Sequence, residues 1–148
     1  MTAASGRPVD RILSTFVNQP GAPLLEASAE CRDNQTVVTL TQRRFYADPA
    51  QTRRRDGTLW QIPVCLKDAD GSAPKCHLVT RRKQTLATSR PCTAPTVLNA
   101  GARGYYRVAY APDLLNKLAP EASRLLSAPE RLTLVADGWD LVLSLIHI

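Results

Sequence analysis

The sequence predicts a mainly β chain with α: an antiparallel β-sandwich followed by the first helices of an α-helical domain. Three observations predict it. Short runs of strand-forming residues alternate with turn clusters between Ala22 and Tyr110, the spacing of a sandwich. Eleven prolines and a charged fraction of 22% favour loops and short strands there, and the last third turns leucine-rich beyond Ala111-Pro112. Finally, Asn99 to Tyr110 reads Asn-Ala-Gly-Ala-Arg-Gly-Tyr-Tyr-Arg-Val-Ala-Tyr: a glycine-punctuated turn feeding a strand of tyrosine and valine around one arginine.

The elements follow in order. A helix is expected over about residues 8–18. Around the turn Arg32-Asp33-Asn34-Gln35, pairs summing to 67 set Ala29 opposite Val38 and Ala27 opposite Leu40 on one face. Glu26, Ser28, Glu30, Thr39 and Thr41 then share the other face, as in a half-buried hairpin. A second hairpin turns at Asp68-Ala69-Asp70-Gly71-Ser72, with pairs summing to 141 that set Ile62 opposite Val79 and Cys65 opposite Cys76. A third return runs through Thr80 to Gln84 into Thr85-Leu86-Ala87, and the strand ending at Tyr110 closes the set. In that strand Tyr106, Val108 and Tyr110 fall on the core face and Arg107 on the side of the helices. A helix begins near Ala128 with Pro129 in its first turn.

Several segments, in this order, resemble the aminopeptidase N family of zinc metallopeptidases. Gln19-Pro20-Gly21-Ala22-Pro23 is similar to its Gln-Pro-Gly-x-Pro entry to a small β domain, Gln42-Arg43-Arg44-Phe45 to its Gln-x-Arg-Phe strand, and Trp60-Gln61-Ile62-Pro63-Val64 to its Trp-x-Ile-Pro-Val strand. Asn99 with Gly104-Tyr105-Tyr106-Arg107-Val108-Ala109-Tyr110 resembles Asn…Gly-Tyr-Tyr-Arg-Val-x-Tyr, and Arg131, Leu134, Asp137 and Trp139 resemble an early helix of the C-terminal domain. Phe16, and Thr96 with Val97, stand where the family usually has tryptophan.

The resemblance implies three parts: the tail of the catalytic domain over 1–20, the β-sandwich over 21–111, and the start of an α-helical C-terminal domain over 112–148. It implies a parent enzyme that removes N-terminal residues from peptides with a zinc-bound water, whose missing catalytic and helical domains are this segment's partners. Asn99, Gly104, Tyr105, Tyr106, Arg107, Trp60 and Pro63 become structural or interdomain residues. The segment itself is expected to be a scaffold, inactive alone. Leu143-Ser144-Leu145-Ile146-His147-Ile148 resembles a translated sequencing-adapter tail, so these six residues are expected to be non-native.

The chemistry of the chain is independent of any family. A hydrolytic zinc site needs three protein ligands and an open position. The two histidines, His77 and His147, lie far apart and outside any His-Glu-x-x-His pattern, so no metal or cofactor is expected on this chain. Cys76 and His77 are strand neighbours and point to opposite faces, against a nucleophile and base pair. Facing Cys65 and Cys76 are candidates for a disulfide, with a structural zinc site that adds His77, or buried thiols, as the alternatives. Cys31 and Cys92 are left to pair or to stay free. An even cysteine count is compatible with a periplasmic or secreted protein.

The net charge of +6 invites a nucleic-acid reading through Arg53-Arg54-Arg55 and Arg81-Arg82-Lys83. Both clusters fall in turns without the interleaved aromatics that phosphate and base binding use, so solvated loops are the better reading. Arg107 among tyrosines could hold a carboxylate, but an arginine in such a strand more often ties a sheet to its neighbour. No apolar run approaches the ~20 residues of a membrane span. The competing class is a free-standing β-sandwich binding or adhesion module. Under the scaffold reading, Leu114, Leu115, Leu118, Leu125, Leu126, Leu132, Val135, Trp139 and Val142 lack covering partners, which favours self-association.

Overall fold

The computed structural model describes residues 8–51, 57–67 and 73–144. The Arg53-Arg54-Arg55 cluster, the turn expected at Asp68 to Ser72, and His147 lie outside the described residues. Helix α1 (Val9–Val17) is followed by β1 (Ala22–Arg32) and β2 (Gln35–Phe45), which pair antiparallel in the register set by the 67 sum, from Ala22 opposite Phe45 to Arg32 opposite Gln35. Asp33 and Asn34 take left-handed φ of 50° and 59°, the geometry that a two-residue turn needs to match the strand twist.

β3 (Ile62–Leu66) and β4 (Lys75–Val79) form a separate two-stranded sheet, with Ile62 opposite Val79 and Cys65 opposite Cys76. β5 (Lys83–Pro91) does not turn back on β4. It crosses to the other sheet and pairs antiparallel with β2, and β6 (Arg107–Tyr110) joins the far side to give the order β5-β2-β1-β6. β6 runs parallel to β1, so this sheet is mixed where the sequence suggested antiparallel strands throughout. The long connection from Pro91 to Arg107 accounts for this, since only such a crossover lets the chain travel from one sheet edge to the other and enter in the same direction as β1. The result is a β-sandwich followed by helices α2 (Pro112–Leu118), α3 (Ala122–Leu125) and α4 (Ala128–Leu143).

The two sheets close on Leu25, Val38, Leu40, Trp60, Ile62 and Val79, joined by Tyr106 and Val108 from the segment that carries the Gly-Tyr-Tyr-Arg-Val-Ala-Tyr signature and ends as β6, the signature strand. Gln42 fastens them. It is fully buried on β2, its Nε2 donates to the carbonyls of Trp60 (3.1 Å) and Arg81 (3.0 Å), and its Oε1 accepts from Trp60 N–H (2.9 Å). A buried amide satisfied in this way ties both irregular flanks of the small sheet to the large one. Toward its turn β1 shows the expected alternation of exposed and more buried residues, but at its base both Leu24 and Leu25 are fully buried. The second face is covered because α4 lays Leu141 on Leu24 and Ala109.

Not all of the leucines lack partners. Leu114 enters the sandwich core, and Leu118, Leu125 and Leu126 pack together on Val97, so these four find cover within the chain. Leu115 is partly uncovered, while Leu132, Val135, Trp139 and Val142 are 55% to 72% exposed along the outer face of α4.

Cys65 is disulfide-bonded to Cys76 across the small sheet, and Cys31 to Cys92, leaving no thiol for a zinc site with the half-buried His77. The Cys31–Cys92 bond spans a sequence separation of 61 and joins the tip of β1 to the chain just beyond β5. Removing it through Cys31→Ser with Cys92→Ser is expected to cost about 4 kcal/mol by the loop-closure relation, read as a lower urea midpoint.

Candidate functional site: the seam between the signature strand and the last helix

The residues singled out between Asn99 and Arg107 meet α4 along one seam. Asn99 sits in the left-handed region at φ 57°, and its side chain folds back on Gly104: Oδ1 accepts from Gly104 N–H (2.7 Å) and Nδ2 donates to the Gly104 carbonyl (3.1 Å). This closes the turn with an amide in place of a backbone pair. Gly104 is required by space. A Cβ there would lie 2.1 Å from Cε1 of Tyr106 and 2.9 Å from Oδ1 of Asn99. The turn thus delivers Tyr106 into the core, where burial pushes its hydroxyl pKa well up, and Arg107 toward α4.

Helix α4 answers with three carboxylates. It starts as a capping box at Ser127 with Pro129 in its first turn. The N3 residue of that box, Glu130, is buried at 6% exposure and does far more than cap. Its Oε2 accepts from Ser127 N–H (2.7 Å), Ser127 Oγ (2.8 Å) and Lys67 Nζ (2.8 Å), and its Oε1 accepts from Gly101 N–H (2.7 Å). Burial opposes its ionisation, but the donors from Gly101, Lys67 and Ser127 outweigh that and hold the carboxyl down at about 2.

Seven residues along, Asp137 accepts Val108 N–H through Oδ2 at 3.0 Å. Val108 lies on the edge strand β6, so this bond fills a backbone donor that the sheet leaves open. Burial is the largest influence on Asp137 and pushes its carboxyl up to about 6, against the pull of Val108 N–H and Arg107 and with the help of the Asp140 charge. Asp140 takes Arg107 Nε at 2.6 Å, and the same guanidinium lies 4.1 Å from the centroid of the Phe45 ring.

The sequence-derived residues divide accordingly. Asn99, Gly104, Tyr106 and Arg107 come together at the seam. Tyr105 precedes β6, is 69% exposed and meets only the edge of Phe16 at 6.3 Å among the ring contacts of the described residues. Trp60 lies in the sandwich core on the Gln42 amide, and Pro63 is exposed on β3 opposite Leu78, both away from the seam. Glu130, Lys67 and Asp140 carry no sequence pattern that marks them as seam residues. Ser127-x-x-Glu130 announces a helix start, but nothing local says that its carboxylate reaches Gly101 and Lys67. Among the described residues no three of histidine, cysteine, aspartate and glutamate gather as metal ligands.

The β-sandwich thus carries its last helix on a carboxylate-stitched seam, and comparison with known proteins gives its kinship. The chain is 32% identical over 144 residues to a puromycin-sensitive aminopeptidase of Caenorhabditis elegans, covering 93% of this chain and 15% of that protein. It is 30% identical over 146 residues to aminopeptidase 2 of Candida albicans (97% of this chain, 15% of that protein), and 29% identical over 149 residues to human glutamyl aminopeptidase (93% and 15%). No protein-family model matches the chain. With aminopeptidase relatives over most of its length, the chain belongs with the M1 aminopeptidase family. It spans about 15% of the length of these relatives.

Two substitutions probe the seam. Glu130→Gln strands Lys67 and weakens four bonds at once, so it is expected to lower stability by about 3 kcal/mol. Because the folded pKa is depressed, that contribution is full above the ordinary 4.5 and is lost as pH falls through about 2. Urea titrations at pH 7 and pH 2.5 should therefore show the gap between parent and variant narrowing in acid. Gly104→Ala is expected to cost about 2 kcal/mol through overpacking on Tyr106, read as a lower melting temperature.

Proposed function

We propose that this chain is a non-catalytic scaffold segment of a zinc metalloaminopeptidase, in which the β-sandwich braces a catalytic domain against a helical C-terminal domain. The outer face of α4 carries this reading. The helix is gripped on one side by the signature strand, yet it presents Leu132, Val135, Trp139 and Val142 to solvent on the other. An apolar stripe of that kind is expected of a helix with a further layer to pack against. Leu13 and Val17 on α1, at 46% and 70% exposure, are similarly uncovered. The kinship with aminopeptidases over most of the chain supports the same assignment.

The zinc of such an enzyme does not fit the residues of this chain. The four cysteines are disulfide-bonded, the two histidines stand outside any His-Glu-x-x-His spacing, and among the described residues no three of histidine, cysteine, aspartate and glutamate gather, so the metal would belong to another part of the parent. The parent's substrates would be peptides with a free N-terminus, and this segment would contribute geometry to their cleavage. Its own contribution would be to carry these exposed faces on one sandwich, with the seam holding α4 to it.

Sequencing the gene around the reading frame tests the proposal: a His-Glu-x-x-His motif in frame upstream is expected, and a complete unrelated module there would contradict it. The purified chain is also expected to release no anilide from aminoacyl-anilides in the presence of zinc. Cleavage that a chelator abolishes would overturn the scaffold assignment.

A further inference from the structure

The charges at the seam do not balance. Two carboxylates of α4, Asp137 and Asp140, face one guanidinium, Arg107, and that guanidinium bonds Asp140 at 2.6 Å. Asp137 is left with a backbone donor, Val108 N–H, in a setting where only 8% of the residue is exposed. Among the described residues, the elements packed around it bring no second cation. From the strand side come Tyr106, Val108 and Tyr110, from α2 and the turn after α3 come Leu118 and Leu126, and from its own helix come Thr133, Leu134 and Glu130. The nearby ammonium of Lys67 is held by Glu130. An ionised Asp137 therefore adds to a buried helix and strand contact a negative charge offset only by a guanidinium already bonded to Asp140, whereas a protonated one still accepts from Val108 N–H.

We propose that the seam is a proton-operated latch, in which Asp137 seats α4 firmly on β6 when protonated and less firmly when ionised. The inference concerns this contact alone and stands apart from the scaffold reading. Burial places the carboxyl at about 6, against an ordinary 3.8, so the window is mildly acidic. With the folded value raised, the stabilisation is fully present below about 3.8 and is lost as pH rises through about 6. Glu130, held down at about 2, stays ionised across this window and keeps the N-terminal end of α4 fixed while the Asp137 turn tightens or loosens. A chain with this latch gives its helical face a firmer seat in an acidic compartment than at neutral pH.

The test combines a direct titration with a paired stability measurement. Carboxyl carbon NMR on the unmodified chain follows Asp137 from pH 3 to pH 8. Urea unfolding of the parent and of Asp137→Asn at each pH gives the ratio of their folding constants, in which the other carboxylates cancel. The expected results are a titration near pH 6 and a ratio that falls about fiftyfold between pH 4 and pH 7. A titration in the ordinary carboxylate range, or a ratio that stays flat, would overturn the latch. Should Asp137→Asn fail to fold, the titration of the unmodified chain decides alone.

Discussion

The carboxylate of Glu130 is the point at which the rest of the structure is tied. Four donors from three stretches of chain converge on its two oxygens: the start of α4, the end of β3 through Lys67, and the glycine turn through Gly101. Gly101 and Ser127 present backbone N–H groups to it, while Lys67, whose own N–H is held by the Val97 carbonyl, presents its ammonium. An ionised, buried acceptor supplies charge-assisted bonds to all of them. Without it the signature turn would lose its outer partner and α4 its cap in the same event.

Gln42 plays the corresponding part on the other side of the sandwich. It, too, is a polar side chain within a core, and it bonds the irregular peptide groups of Trp60 and Arg81 that flank the small sheet. The two-stranded sheet has few ladder bonds of its own and rests on this amide, on the Cys65–Cys76 bond and on the apolar surface of β1 and β2. Together the amide and the carboxylate explain how a short chain with a modest core keeps six strands and the following helices in one arrangement. Both work by answering backbone groups that secondary structure leaves unpaired.

Much of this was legible in the sequence, and the boundary is instructive. Strand alternation and turn residues gave both hairpin registers, including Cys65 opposite Cys76, because facing positions in a hairpin are fixed by local turn geometry. They could not give the partner of β5 or the parallel entry of β6, which depend on where a long connection travels. Within the strand, period-two counting placed Tyr106 and Val108 inward and Arg107 outward, as the structure has them. The partners of Arg107 and Gly101 were out of reach, since Asp140 and Glu130 lie 33 and 29 residues away along the chain. The leucines misled for a similar reason: composition marks a residue as apolar, but only the path of α2 and α3 shows that Leu118, Leu125 and Leu126 cover one another.

A seam of this kind is expected to make α4 and the sandwich open as one unit. Native-state hydrogen exchange across a urea series measures this most directly, through amides in the first two turns of α4, in β6 and in the β1–β2 ladder. Their opening free energies are expected to converge on one value and to share one urea dependence. Exchange in α4 at a distinctly lower free energy, with the β1–β2 ladder still protected, would contradict it.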